Sequence, residues 1–291
     1  MVVNGFRPLW RIPLLAARER PHPSGRGRIP EPMVMDDSDQ VRQFHAGGAS
    51  NPAMQAVYDF NARSLDVLLP KGARLLDLGV GSGRAINAVI RQRPDLHVTA
   101  VDLAPNMLAT AKELFRAEGL DGQVQLVEAD ITALPDRLAT ADWDGISCMW
   151  TLHQLPDFDV LRAALRQIAA IRQNSGAAVW IFDFQRLKNP STFPTMVTCV
   201  DPSIPPVLRK DAIASEAAGF TESELSAEFT AAGLSDFHSG HARPLPYLQA
   251  YWAPGKNAKT GIPSHIHRQH LRGQARGDAA LLRWGFTAKP F

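Results

Sequence analysis

The chain has 291 residues, a formal net charge of +2, two cysteines and 45% apolar residues. That length allows one large domain with additions and a substantial core. The near-neutral balance argues against a nucleic-acid partner, two cysteines exclude a disulfide framework, and no apolar run reaches the roughly 18–20 residues of a membrane helix.

Neither Cys148 nor Cys199 lies in a Cys-x-x-Cys or Cys/His cluster, so no metal site is expected, and a reducing cytoplasm is the natural compartment. The charge is uneven: residues 1–32 hold six arginines and two glutamates. With Pro21, Pro23, Pro30, Pro32, Gly25 and Gly27, that stretch reads as a disordered basic extension outside the fold. An Arg-rich transit peptide is the alternative, and Met33 and Met35 just beyond it are alternative starts.

Residues 33–72 read as an N-terminal helical cap. Asp36 to Phe44 is weakly helical and is expected to stop at Gly47-Gly48. Asn51-Pro52 has the pattern of an N-cap followed by proline at the first helical position, and Met54, Val57, Tyr58, Ala62, Leu65, Leu68 and Leu69 continue it as an apolar stripe. Strands and helices then alternate. Strands are predicted at 74–78, 98–101, 124–128, 145–149 and 178–184, with helices at 83–92, 105–118 and 158–172. Such alternation implies a doubly wound α/β, Rossmann-like fold, its sheet mostly parallel with helices on both faces. Residues 185–220 are Pro-rich and poorly patterned, as in a lid-like insertion. Thr221-Glu222-Ser223-Glu224 has capping-box spacing and opens a helix to Ala232. Closing strands are expected at 234–238 and 245–252, which ends the core domain, 73–253, before a basic tail, 254–291, with one short helix at 279–284.

The first strand ends in Asp77-Leu78-Gly79-Val80-Gly81-Ser82-Gly83. Glycines there let the backbone turn sharply and approach a ligand, and the next helix points free N–H groups at the same place. A dinucleotide fingerprint needs glycine where Arg84 stands, so a ligand with an amino-acid end fits better than one with a pyrophosphate. Asp102 closes the second strand, where a carboxylate can take both ribose hydroxyls or cap the following helix. Asp130 follows the third, where it can accept from an adenine amino group while Ile131 packs on the ring, or cap Thr132 to Leu134.

Asp77 to Gly83, Asp102 and Asp130 together resemble the donor-binding motifs of class I S-adenosylmethionine-dependent methyltransferases. The likeness covers roughly residues 50–250 and is nearest to the small-molecule group that includes ubiquinone/menaquinone-type enzymes. It implies a seven-stranded sheet with an antiparallel last strand, and S-adenosylmethionine as cofactor. It assigns Gly79, Gly81 and Gly83 to the methionine part, Asp102 to the ribose, and Asp130 with Ile131 and Met107 to the adenine, with Leu103 also at the donor. Trp150, in the loop after the fourth strand, is placed beside the sulfonium.

That loop, Cys148 to Asp157, lacks the Asn/Asp-Pro-Pro-aromatic and Pro-Cys signatures of nucleic-acid methyltransferases, which favours a small-molecule acceptor. His153 is the best general base, its alternative being a loop orienter; Asp183, at the end of the fifth strand, is a second base, an orienter or a merely solvated strand-end acid. The acceptor pocket is expected among Phe44, His45, Tyr58 and Asn61 of the cap and Phe193, Met196, Asp201 and Arg209 of the insertion, with Tyr58 also explicable as helix stripe. Trp252 and the run His265, His267, Arg268, His270 and Arg272 offer a site for an anion or a solvated surface segment. The implied activity is methyl transfer to O, N or C of a small molecule. The rivals are nicotinamide binding on a similar sheet, RNA or protein methylation, and donor binding without catalysis. Oligomeric state leaves no readable mark.

Overall fold

Short apolar runs separated by amphipathic helices build one sheet in the computed structural model, which describes residues 10–19, 26–200, 204–256 and 271–291. Strands β1 (Arg74–Leu78), β2 (His97–Asp102), β3 (Val124–Glu128), β4 (Gly145–Met149) and β5 (Ala178–Phe184) are parallel; β6 (His238–His241) and β7 (Leu248–Ala253) complete the order β3-β2-β1-β4-β5-β7-β6. Strand β7 is the reversed one, antiparallel to both β5 and β6. The seven-stranded sheet and its reversed strand are therefore as expected. The winding changes direction between β1 and β4, which opens a crevice at the carboxyl ends of the central strands.

The two faces follow from the two-residue period of strands. Leu75, Trp180 and Phe182 point to one face, where Phe60 and Leu65 of α3 (Pro52–Leu68) and Ile86, Val89 and Ile90 of α4 (Arg84–Gln92) cover them. Leu76, Val179 and Ile181 point to the other, under Leu161, Leu165 and Ile168 of α7 (Phe158–Ser175). Each fully buried side chain of this size contributes about 1.5–3 kcal/mol. The remaining helices are α1 (Arg11–Glu19), α2 (Ser38–Ser50), α5 (Pro105–Ala117), α6 (Asp136–Ala139), α8 (Thr192–Val200), α9 (Pro206–Ala218), α10 (Glu222–Ala231) and α11 (Gly273–Gly285). No helix among the described residues is long and apolar enough to cross a membrane.

Four expectations need correction. Helix α2 runs through Gly47-Gly48 instead of stopping there. A Cβ on Gly47 would sit 2.4 Å from Leu208, and one on Gly48 2.7 Å from the Tyr58 hydroxyl, so these glycines serve close approach. Leu234 donates its N–H to Phe229 O and belongs to the end of α10, so β6 starts later than predicted; Pro244 and Pro246, which offer no ladder N–H, delay β7 to Leu248. The insertion is two helices, with Pro194 and Pro206 in first turns that leave their N–H unused. The stretch read as a disordered extension is helical over Arg11–Glu19 and packed over residues 26–32, for reasons of tertiary contact given below.

Candidate active site

The glycine turn after β1 is held by its neighbours. Gly79 and Val80 donate backbone N–H groups to Val101 O at 2.8 and 2.9 Å, and Gly81 N–H donates to Asp102 Oδ2 at 2.7 Å. Gly79, Gly81 and Gly83 all have positive φ. A Cβ on Gly79 would strike Thr151, and one on Gly83 would strike Phe115, whereas one on Gly81 meets no atom of the chain. Gly81 therefore presents bare backbone to the cavity it lines.

That cavity, about 430 Å³, lies in the crevice between β1 and β4. Asp77, Asp102, Leu103, Met107, Asp130, Ile131 and Trp150, all expected at a donor site, line it. Asp102 spends one oxygen on Gly81 and the other on Ala104 N–H at 2.9 Å, just before α5, and free lone pairs remain on each oxygen. Asp130 takes Thr132 N–H and Oγ on Oδ1, both at 2.8 Å, which leaves Oδ2 open; Thr132 to Leu134 is a turn rather than a helix. Asp77 is buried and accepts the Ser147 hydroxyl at 2.5 Å; burial pushes its carboxyl up to about 7. Trp150 sits at φ 54°, a region non-glycine residues rarely adopt, and its buried Nε1–H has no partner among the described residues. A bare glycine, an orphaned indole donor and three carboxylates with open lone pairs fit a ligand that carries cations, hydroxyls and an amino group.

The same cavity continues to His153 and Phe193. His153 lies on a single 3-10 turn, Leu152–Gln154, just after β4, with Asp183 near the end of neighbouring β5. His153 Nδ1 is 2.6 Å from Asp183 Oδ1, and the His153 backbone N–H donates to Asp183 Oδ2 at 3.0 Å. Asp183 thus holds both the ring and the backbone of His153. The imidazole is only 3% exposed, and Nε2 makes no hydrogen bond among the described residues. Burial pulls the imidazole pKa down, but the Asp183 carboxylate, aided by Glu31 and Asp211, more than offsets this, and the net shift is upward.

Phe44, Tyr58, Phe193 and Met196 line the cavity as expected for the acceptor side. Tyr58 meets Trp150 edge-on at 5.9 Å, and Phe193 stands between Phe184 and Tyr247. Four expected residues turn elsewhere. Asn61 accepts Trp180 Nε1–H in the core at 2.7 Å, His45 pairs with Arg84, Arg209 bonds Ile204 O, and Trp252 packs under the sheet. Asp201 and the run from His265 to His270 lie outside the described residues; Arg272 precedes α11. Three residues were missed in the sequence: Asp211 and Ser215 of α9 line the cavity, and Glu31 meets Ser215 Oγ at 3.5 Å. Burial and Glu31 push Asp211 up to about 6. No sequence signal connects these acids to His153.

Residues 75–176 match the family model described as a methyltransferase domain. By this match the segment is a methyltransferase domain. The ubiquinone biosynthesis O-methyltransferase of Xylella fastidiosa strain M23 is 33% identical over 146 residues, 46% of this chain and 55% of that protein. The demethylmenaquinone methyltransferase of Thermus thermophilus is 30% identical over 109 residues, 37% of this chain and 48% of that protein. The chain spans about half the length of the curated relatives it matches. Among solved structures, an Aquifex aeolicus S-adenosylmethionine-dependent methyltransferase aligns at TM-score 0.53 and 18% identity, over 75% of this chain and 98% of that one. A putative O-methyltransferase from Nostoc punctiforme aligns at 0.54 and 20%, over 82% and 67%. Both likenesses are of fold. The methyltransferase domain thus covers the donor motifs and His153, while Asp183, Phe193, Asp211 and Glu31 lie outside the matched segment.

Proposed function

We propose that the protein transfers the methyl group of S-adenosylmethionine to a hydroxyl oxygen of a small, largely apolar acceptor that carries no carboxylate. The observation behind this reading is the His153–Asp183 pair, whose unpartnered Nε2 belongs to a residue lining the same cavity as the glycine turn. The donor supplies a methyl group already activated on a positively charged sulfur. The chain's part is to position, to exclude water and to remove a proton. Nε2 of His153 accepts the hydroxyl proton while Asp183 holds Nδ1–H and stabilises the resulting imidazolium. Tyr58 and Phe193 contact the acceptor; Gly79, Gly81, Gly83, Asp77, Asp102, Leu103, Met107, Asp130, Ile131 and Trp150 hold the donor.

Oxygen is favoured because a hydroxyl needs a base and because the name of the Xylella relative specifies O-methyl transfer. Asp211, which lines the cavity with Glu31 behind it on the Ser215 hydroxyl, argues against a carboxylate on the acceptor, since it would repel one in a low-dielectric pocket. Of the cations lining the cavity, Arg84 is held by His45 beside the glycine turn and Arg243 sits on the exposed β6–β7 turn. Two cysteines, both free, support a reducing cytoplasm. The test is a panel of phenols paired with their carboxylated analogues and isotope-labelled S-adenosylmethionine. Turnover confined to the uncharged members is expected. Turnover of the carboxylates alone would refute the acceptor reading, and donor binding without any product, in this panel and in a metabolite extract, would refute the enzyme.

A further inference from the structure

We infer that residues 26–36, which precede the methyltransferase domain, form a strap that completes the active site, and that Arg28 on this strap is a positioning residue for His153. The inference rests on the reading of His153 as the base.

The need for Arg28 is written in the loop it holds. His153 O would ordinarily accept from the N–H three residues on, but that residue is Pro156, which has none. Leu155 O and Pro156 O fall between the 3-10 turn and the Asp157 cap of α7, whose side chain takes Asp159 N–H and Val160 N–H. The loop therefore presents three carbonyls without backbone donors. Arg28 supplies the donors: Nη2 donates to His153 O at 2.6 Å and to Leu155 O, and Nη1 to Pro156 O at 2.7 Å. Its Nε donates to Ala218 O at 2.5 Å, and the guanidinium lies 4.1 Å from the Phe220 ring centroid. None of the five contacts is to a carboxylate. A planar fork with several fixed donors suits such a cage, and an ammonium does not.

The strap is anchored along its length. Arg26 pairs with Glu216, and Arg26 O accepts from Arg186 Nε at 3.0 Å. Ile29 N–H donates to Ala217 O at 3.1 Å. At the far end Asp36 accepts Asn106 N–H at 2.8 Å and its carbonyl accepts Asn106 Nδ2–H at 2.7 Å, at the start of α5. Between these anchors Met33, Val34 and Met35 line the cavity. The strap thus runs from the acceptor side, at α9, to the donor side, at α5, with one end gripping the backbone that carries His153.

The test uses the full chain with Arg28→Ala, Arg28→Lys, His153→Gln and the double variant R28A/H153Q. The low-field proton NMR signal of His153 Nδ1–H, identified by its loss in H153Q, is expected in the wild type and lost or displaced in both Arg28 variants. S-adenosylhomocysteine should bind all variants with nearly wild-type affinity. Methyl transfer into a metabolite extract should fall by about a hundredfold in R28A, the scale expected when a reacting group is misplaced by about 1 Å. The double variant should be no slower than H153Q. An unchanged signal with unchanged turnover, or a drop in R28A that adds fully to that of H153Q, overturns the positioning role. If R28A does not fold, R28K, which keeps charge and stem, carries the comparison. If the wild type neither binds S-adenosylhomocysteine nor transfers methyl, the methyltransferase reading fails, while the NMR comparison still decides whether Arg28 holds His153.

Discussion

Replacing Asp77 with asparagine separates the electrostatics of the donor site from its shape. Asp77 is buried beneath the glycine turn, and desolvation, with a smaller push from Asp102, raises it from 3.8 to about 7. The Ser147 hydroxyl opposes the shift only in part, and asparagine can accept the same bond. Because the folded value lies above the unfolded one, the stability tied to this group is fully present below about pH 4 and is lost as pH rises through about 7; the loss approaches roughly 4 kcal/mol. The free wild type should therefore melt progressively lower than D77N between pH 5 and 8. A donor that brings an ammonium and a sulfonium favours the ionised carboxylate, so binding should release a proton near neutrality. If only the ionised form binds, the apparent Kd for S-adenosylmethionine should weaken about tenfold from pH 8 to pH 6, or about 1.4 kcal/mol. Isothermal titration in buffers of different ionisation enthalpy measures both affinity and proton release, and D77N subtracts the titration of donor and neighbours. Identical pH dependence of melting and of affinity in the two proteins would refute the assignment.

Three further outcomes follow from the geometry. Asp183→Asn should lower turnover by about 10²–10⁴-fold, the range of general-base catalysis, and leave S-adenosylhomocysteine affinity intact. In the wild type the acid limb of the rate profile should lie above the ordinary imidazole pKa, because Asp183 raises His153, and it should fall in D183N. Gly81→Ala should fold with a penalty of about 1–2 kcal/mol for the left-handed backbone but bind donor poorly, whereas Gly83→Ala should be limited by folding because its Cβ meets Phe115 at 2.9 Å. Arg93→Ala should destabilise by about 3–5 kcal/mol without a specific loss of donor binding, as it strips partners from buried Asp66 and from Asp95 and leaves Leu69 O and Pro70 O unsatisfied; chemical denaturation measures the difference.

The donor half was legible because its chemistry is local. Asp77, Asp102 and Asp130 each stand at or just past a strand end, and the glycines between Asp77 and Arg84 fix the turn. What binds Asp102 to the turn is one bond, from Gly81 N–H, that spans adjacent strands and follows once strand order is known. The pairing of His153 with Asp183 follows in the same way from β4 lying beside β5, but only after the loop is known to fold back as a 3-10 turn. Helix α2 was misjudged because Gly47 and Gly48 were read as breakers, when Leu208 and Tyr58 need the space their side chains would fill. The two helices of the insertion were hidden by prolines, which end a helix in its interior and are harmless in its first turn.

The acceptor half obeys a different logic. Its walls come from the strap, from α8 and α9 and from α11, segments far apart in sequence that meet only when the sheet has formed. Residues 26–32 hold prolines, arginines and no periodicity, and read as part of a disordered extension that cannot bury enough surface to order itself. The conclusion holds for the isolated segment but fails in the fold, because its order comes from outside. Arg28 satisfies three carbonyls that Pro156 and the start of α7 leave without backbone donors, Asp36 takes two donors from Asn106, and Glu216 takes Arg26. The strap and the loop each lack what the other supplies. Deleting residues 26–36 should therefore loosen His153 and open the cavity roof, while the glycine turn, built on β1 and β2, keeps its donor contacts. On the proposed reading, acceptor choice resides in segments outside the matched domain, which is why the donor motifs say nothing of the acceptor.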